Sequence, residues 1–182
     1  MCEFRVEFVF GIVDKALAAE LIDFWNLNQV SYQAELRSFR SVRDSAGIEP
    51  HLGKQKVLNR QPGAIARNQE GSIIGVVFIV LRELEAHLNL GGHAYFQRMY
   101  VLPENRSFHL MNHLYKIFLQ GFIDSPELRD HRAGILISEN INPGLQRGAM
   151  RRYFAKLGFK MLGSNQLGGE VWLLKLRTQF VF

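Results

Sequence analysis

The sequence predicts one mixed α/β domain over residues 1–182, a single layer of sheet with helices on both faces. Three observations carry this. The apolar runs are strand-sized, the helical stretches repeat apolar residues every three or four positions, and the two kinds of segment interleave. The longest apolar run, "IIGVVFIVL" at 73–81, has nine residues, about half of what a bilayer requires. The order reads β, α, α, β, β, β, α, β, α, β, β.

"EFRVEFVFGI" (3–12) alternates in part and predicts an outer strand. Asp14 stands where an N-cap belongs, ahead of a helix in which Leu17, Leu21, Phe24 and Trp25 recur at helical spacing. Residues 37–62 carry Arg37, Arg40, Arg43, Lys54, Lys56 and Arg60 against Asp44 and Glu49, and glycines and prolines interrupt them. They read as a short helix ending near Arg43 and then a mobile loop. From residue 64 the pattern gives a strand, a turn at 69–71 and a longer strand. "AYFQRMYVL" (94–102) is a third strand, which Pro103 ends. The next helix, "SFHLMNHLYKIFLQGF", has an apolar face of Leu110, Leu114, Ile117, Phe118 and Gly121. "AGILISE" (133–139) is apolar on both faces and therefore central. "PGLQRGAMRRYFAKLGF" gives a helix with Pro143 near its first turn and Gly158 as its stop. Strands near 160–162 and 171–176 close the chain.

Cys2 is the one cysteine, which excludes an internal disulfide and a cysteine metal site and fits a cytoplasmic protein. Glu3, Arg5 and Glu7 break up the apolar N-terminus, so neither a signal nor a transit peptide is expected, and no membrane span. The net charge of +5 suits nucleic acid, an acidic membrane surface or a phosphate-rich cofactor. No run of Lys/Arg interleaved with aromatics occurs, which argues against nucleic acid. The six histidines lack metal-ligand spacing, so no metal is expected; His109 and His113, four apart, read as a helix face.

Two joints carry a resemblance. The strand-to-helix joint reads Val101-Leu102-Pro103-Glu104-Asn105-Arg106-Ser107-Phe108-His109-Leu110-Met111, and "YFAKLGF" closes the last helix. From about residue 64 to 177 the chain resembles the GCN5-related N-acetyltransferase (GNAT) superfamily, whose joint typically reads V-x-P-E-x-R-G-x-G-x-G/A and whose last helix ends Y-E-K-x-G-F. The resemblance implies a mostly antiparallel mixed sheet flanked by helices on both faces, and an acetyl-CoA or other acyl-CoA cofactor. It implies transfer of an acyl group to an amine, small or peptidic, and allows a homodimer.

The cofactor contacts it implies are the backbone of Met99, Tyr100 and Val101 for the pantetheine arm, and residues 106–111 for the pyrophosphate. There Arg106 supplies a cation, and the N–H groups of Ser107, Phe108, His109, Leu110 and Met111 open the helix. The sequence departs from the pattern by placing His109 and Met111 where glycines let the phosphate approach. Either His109 becomes an added anion ligand, or both side chains pack and the joint is degenerate. An asparagine beyond the central strand would meet the pantetheine; Asn142 is preferred to Asn140, with an Asn-Pro turn as the plain alternative.

The family's thiolate-protonating tyrosine falls on Phe154, which has no acidic proton. Tyr153, one residue and about 100° away on a helix, takes the role only through a local shift of that helix. For a base, Glu139 just past the central strand would act through water. Arg147/Arg151 and Arg152/Lys156 are cationic pairs four apart, read as a solvated face or a contact for the 3′-phosphate. If the basic segment 37–62 receives the acceptor, its cations favour an anionic one. The alternative to an enzyme is a catalytically reduced relative that binds CoA or a protein partner as a sensor or interaction module.

Overall fold

The computed structural model describes residues 4–39, 55–164 and 168–176. In chain order the elements are β1 (Arg5–Phe8), α1 (Lys15–Phe39), β2 (Lys56–Arg67), β3 (Ile73–Glu83), β4 (His93–Val101), α2 (Phe108–Asp124), β5 (Ala133–Asn140), α3 (Gly148–Lys156), β6 (Lys160–Ser164) and β7 (Glu170–Lys175). The strands form one sheet in the order β1-β2-β3-β4-β5-β7-β6. Every neighbouring pair is antiparallel except β4 and β5. This is the mixed, mostly antiparallel sheet that the resemblance implies.

Strand alternation decides which helix covers which residue. On one face Ile65, Val76 and Tyr100 pack with Phe24 of α1. On the other face their immediate neighbours Ala64, Val77 and Val101 pack with Leu110, Leu114 and Phe118 of α2 and with Phe154 of α3. Gly121 lets α2 approach β1: a Cβ there would lie 2.5 Å from the ring of Phe8. Asp14 caps α1 as expected, its Oδ1 accepting from the Leu17 amide at 2.8 Å. Gly158 ends α3 with φ of +89°, a conformation that favours glycine.

Three boundaries differ from the sequence reading. The first helix continues to Phe39, so Arg37 lies inside it and the two early helices are one as far as that residue. Arg40, Arg43, Asp44, Glu49 and Lys54, and with them most of the segment read as a mobile loop, lie outside the described residues, as does Cys2. Lys56, Arg60 and Pro62 belong to β2 rather than to a loop. Pro62 is tolerated because the β2–β3 register shifts beside it, between Pro62 and Ala64, where a missing N–H costs no regular ladder bond. Finally, α3 starts at Gly148, not near Pro143. Pro143–Gln146 form a separate 3-10 turn, because the Asn142 side chain accepts from the Gly144 amide at 2.8 Å and closes a local turn first.

The parallel pair is the feature that positions the site. Its register runs from His93↔Ala133 to Gln97↔Ser138 and stops, although β4 continues to Val101 and β5 to Asn140. Beyond Gln97 and Ser138 the two strands diverge. On that side, alternate residues of 98–101 turn their backbone groups into the gap, since only one edge of β4 is engaged by β3.

Candidate functional site

A cavity of about 460 Å³ occupies the divergence. Register divides its walls. Gln97 pairs with Ser138, so these two share a face with Met99 and Asn140 and look toward α2 and α3. Arg98, Tyr100 and Glu139 look toward α1. The cavity is therefore lined by two chemically different sets of side chains.

On the α2/α3 side, two phenols flank a buried ring. Tyr153 donates to Oδ1 of Asn112 at 2.8 Å, and Gln97 Nε2 donates to the Tyr115 hydroxyl at 2.5 Å. Burial raises the pKa of both phenols above the usual tyrosine value, and that of Tyr115 strongly. Both therefore stay protonated at neutral pH. Phe154, 5% exposed, stacks on Trp172 and meets Tyr115 and Phe159 edge-on, so it is core as well as cavity wall. Tyr153 lines the cavity with no shift of the helix, for α3 is continuous through Lys156. Asn140 is 2% exposed. Its Oδ1 accepts from Ser138 at 3.0 Å, while its Nδ2 has no partner among the described residues. Oε1 of Gln97 is buried and unpartnered in the same sense.

On the α1 side, Arg98 Nη2 lies 3.4 Å from Glu139 Oε2. Burial opposes the Arg98 charge, but Tyr32 and Glu139 together hold its pKa above the ordinary arginine value. Arg106 donates from Nε to the Val101 carbonyl at 2.9 Å and grips Glu35 with Nη1 and Nη2, at 2.8 and 2.6 Å.

The helix start is more occupied than the sequence suggests. Ser107 spends its hydroxyl on the Leu110 amide, at 3.1 Å, and its carbonyl on Met111. The amides of Phe108 and His109 have no partner among the described residues. Phe108, 68% exposed, lines the cavity together with Met111. The His109 ring lies outside it, 5.3 Å from that of Phe4 and stacked on His113, and Leu110 faces the core. Asn142 also lines the cavity, with its Oδ1 committed to its turn. Of the cationic helix pairs, Arg151 is claimed by the buried carboxylate of Glu170, and Arg147 precedes the helix.

Sequence reasoning missed Gln97's pairing, Asn112, Tyr115 and Glu35. Tyr115 looks like one more aromatic on an apolar helix face, and Glu35 meets Arg106 only across 71 residues of chain. Asn140 and Asn142 were both legible as candidates, and both line the cavity.

No protein-family model matches the chain, and no curated protein matches it in sequence. Solved structures do resemble it. The similarity to the ACIAD1637 protein of Acinetobacter baylyi ADP1 covers 63% of each chain at 17% identity with a TM-score of 0.42. For yncA of Salmonella typhimurium, solved with its cofactor acetyl-CoA, 96% of this chain and 95% of that one align at 12% identity and a TM-score of 0.47. For the aminoglycoside N(6′)-acetyltransferase of Legionella pneumophila the figures are 96%, 93%, 10% and 0.41. All three superpose loosely.

Proposed function

We propose that this protein is an acyl-CoA-dependent N-acyltransferase and that the reaction takes place in the gap between β4 and β5. The observation that carries this is the early end of the parallel register, which opens a free strand edge onto a cavity with phenols on one side and a carboxylate on the other. The edge of residues 98–101, which no longer pairs with β5, suits the amide-rich pantetheine arm, and Asn140 Nδ2 and Gln97 Oε1, without partners among the described residues, are a donor and an acceptor for it. The Phe108 and His109 amides, at the positive end of α2, suit a pyrophosphate. Arg106 would join them after leaving Glu35.

An acyl-CoA bound there would supply a thioester. With it bound, the acceptor nitrogen would bond to the acyl carbon as the carbon–sulfur bond breaks. Tyr153 Oη would give its proton to the departing sulfur and recover one from solvent, while Glu139 would take the amine's proton through a water. A backbone N–H at the end of β4 donates to the oxyanion. The acceptor, a small or peptidic amine, enters from the α1 side. Among the described residues no helix is long and apolar enough to cross a membrane, and the lone thiol supports a cytoplasmic setting.

A second reading, a catalytically reduced CoA-binding module, draws support from two observations. Phe154 occupies the expected tyrosine position as a packed core residue, and Arg106 is engaged by Glu35. Calorimetric titration with acetyl-CoA and CoA, followed by thiol release on an amine panel, separates the readings. Micromolar binding with turnover supports the enzyme, and binding without turnover supports the module. No binding to the folded protein rejects both.

A further inference from the structure

Resting on the acyltransferase reading, we propose that the acceptor is a small primary amine that itself carries a carboxylate, an amino-acid-like substrate, and that Arg98 is the residue that reads that carboxylate.

The argument is one of charge and geometry on the α1 side of the sheet. Opposed residues of adjacent strands share a face, and the pairs Phe78↔Arg98, Val80↔Phe96, Arg60↔Val80 and Arg82↔Ala94 put Arg60, Arg82 and Arg98 on the same one. Glu139 also faces that way, since its neighbour Ser138 shares the opposite face with Gln97. The groups are close enough to feel one another. Arg82 interacts electrostatically with Glu139, Arg98 and Arg60. Glu139 thus shares a sheet face with these three guanidiniums.

Of the three, Arg98 lines the cavity, with its side chain 34% exposed. Its contact with Glu139 is made through one nitrogen, Nη2, at 3.4 Å. A well-formed charge-assisted bond is nearer ~2.8 Å. A guanidinium has five donors in a planar fork. Tyr32, from α1, takes part of that capacity. Among the described residues the other cation that lines the cavity, Arg106, is already gripped by both oxygens of Glu35. A second carboxylate entering from the α1 side therefore finds a guanidinium that, counted against the described residues, has donors to spare and is backed by Arg82 and Arg60. A diamine or polyamine brings no group that can accept from those donors.

Matched compounds test this without altering the protein: L-glutamate, L-methionine and β-alanine against their primary amides, with putrescine as the cationic probe. Each is titrated calorimetrically into the full-length protein with CoA present and absent, and each is assayed with acetyl-CoA by thiol release. The acids should bind at least about tenfold more tightly than their amides, with the preference shrinking as salt rises. Arg98→Gln should erase the difference, and Arg98→Lys should restore part of it by keeping the charge but not the fork.

Equal affinity for acid and amide, tighter binding of putrescine, or absence of saturation by any acid overturns the proposal. The acyltransferase reading can fail separately. If acetyl-CoA does not bind while the acid preference holds and depends on Arg98, that reading falls and the anion-reading role stands.

Discussion

Arg106 and Glu35 face each other edge to edge across 71 residues of sequence, Nη1 to Oε1 at 2.8 Å and Nη2 to Oε2 at 2.6 Å. The pair ties α1 to the joint between β4 and α2. It also occupies the cation that the joint would offer to a phosphate. Glu35→Gln keeps the size and removes the competing charge, so acetyl-CoA affinity should rise roughly fivefold, about 1 kcal/mol. Arg106→Ala should lower it. Calorimetry on both variants decides, and unchanged affinity in both would remove Arg106 from the pyrophosphate contacts.

In the proposed reaction the Tyr153 hydroxyl, which here donates to Asn112, gives its proton to the leaving sulfur. Tyr153→Phe should reduce kcat by about 100-fold while leaving the affinity for acetyl-CoA intact. Burial raises this phenol's pKa, so the wild-type rate should hold its plateau past pH ~10, where an ordinary tyrosine ionises. A rate unaffected by Tyr153→Phe would pass the proton to another group.

Asn140 and Asn142 make opposite predictions. Asn140 Nδ2 is buried without a partner, so Asn140→Ala should cost acyl-CoA affinity about tenfold at little expense to the fold. The Asn142 side chain closes a turn, so Asn142→Ala should lower stability by about 1 kcal/mol and leave the affinity unchanged. Chemical denaturation and calorimetry on both variants give the four numbers needed. The reversed pattern would assign the pantetheine contact to Asn142.

Tyr115 makes the fold sensitive to alkali. Its pKa is raised by burial, so the native state keeps a proton that the unfolded chain releases from pH ~10 upward. The stabilising contribution is complete below that pH and is lost as pH rises toward the native pKa. Tyr115→Phe should flatten this alkaline slope in denaturation curves measured between pH 8 and 11, a range set by the same reference value of about 10. It should also lower stability at neutral pH by about 1–2 kcal/mol, because Gln97 loses its partner. An unaltered slope would place the titrating group elsewhere.

Gly121→Ala sets two effects against each other. Alanine gains about 0.5–1 kcal/mol over glycine inside a helix. The new Cβ, however, would sit 2.5 Å from the Phe8 ring, and overpacking of this kind costs about 1–3 kcal/mol. Net destabilisation is expected, and a higher melting temperature would show that β1 yields.

Local pattern reached the elements but not their ends. Apolar periodicity found α2, whose buried residues recur at helical spacing, and a run apolar on both faces found the central β5. Pattern broke off α1 too soon and left the first half of β2 as loop. The exposed residues Lys56–Arg60 carry no burial signal, and Pro62 reads as a breaker until a register shift accommodates it. Asn142 illustrates the limit for the site. Its sequence context suits both a turn and a ligand contact, and the structure shows the turn bond to Gly144 while also placing the residue in the cavity wall.

By itself the sequence determined the alternation of strands and helices, the caps at Asp14 and Gly158, the V-x-P-E-x-R joint and the absence of a phenol at residue 154. These are local properties, fixed by backbone preference and by residue identity. The tertiary structure decided the rest: where β4 and β5 stop pairing, that Glu35 holds Arg106, that Asn140 rather than Asn142 keeps a buried donor unspent, and that Glu139 lies among arginines. Each of these joins residues from separate elements. Charge pairing and hydrogen bonding act across space, so the partners are settled only when the sheet has brought distant strands and helices together.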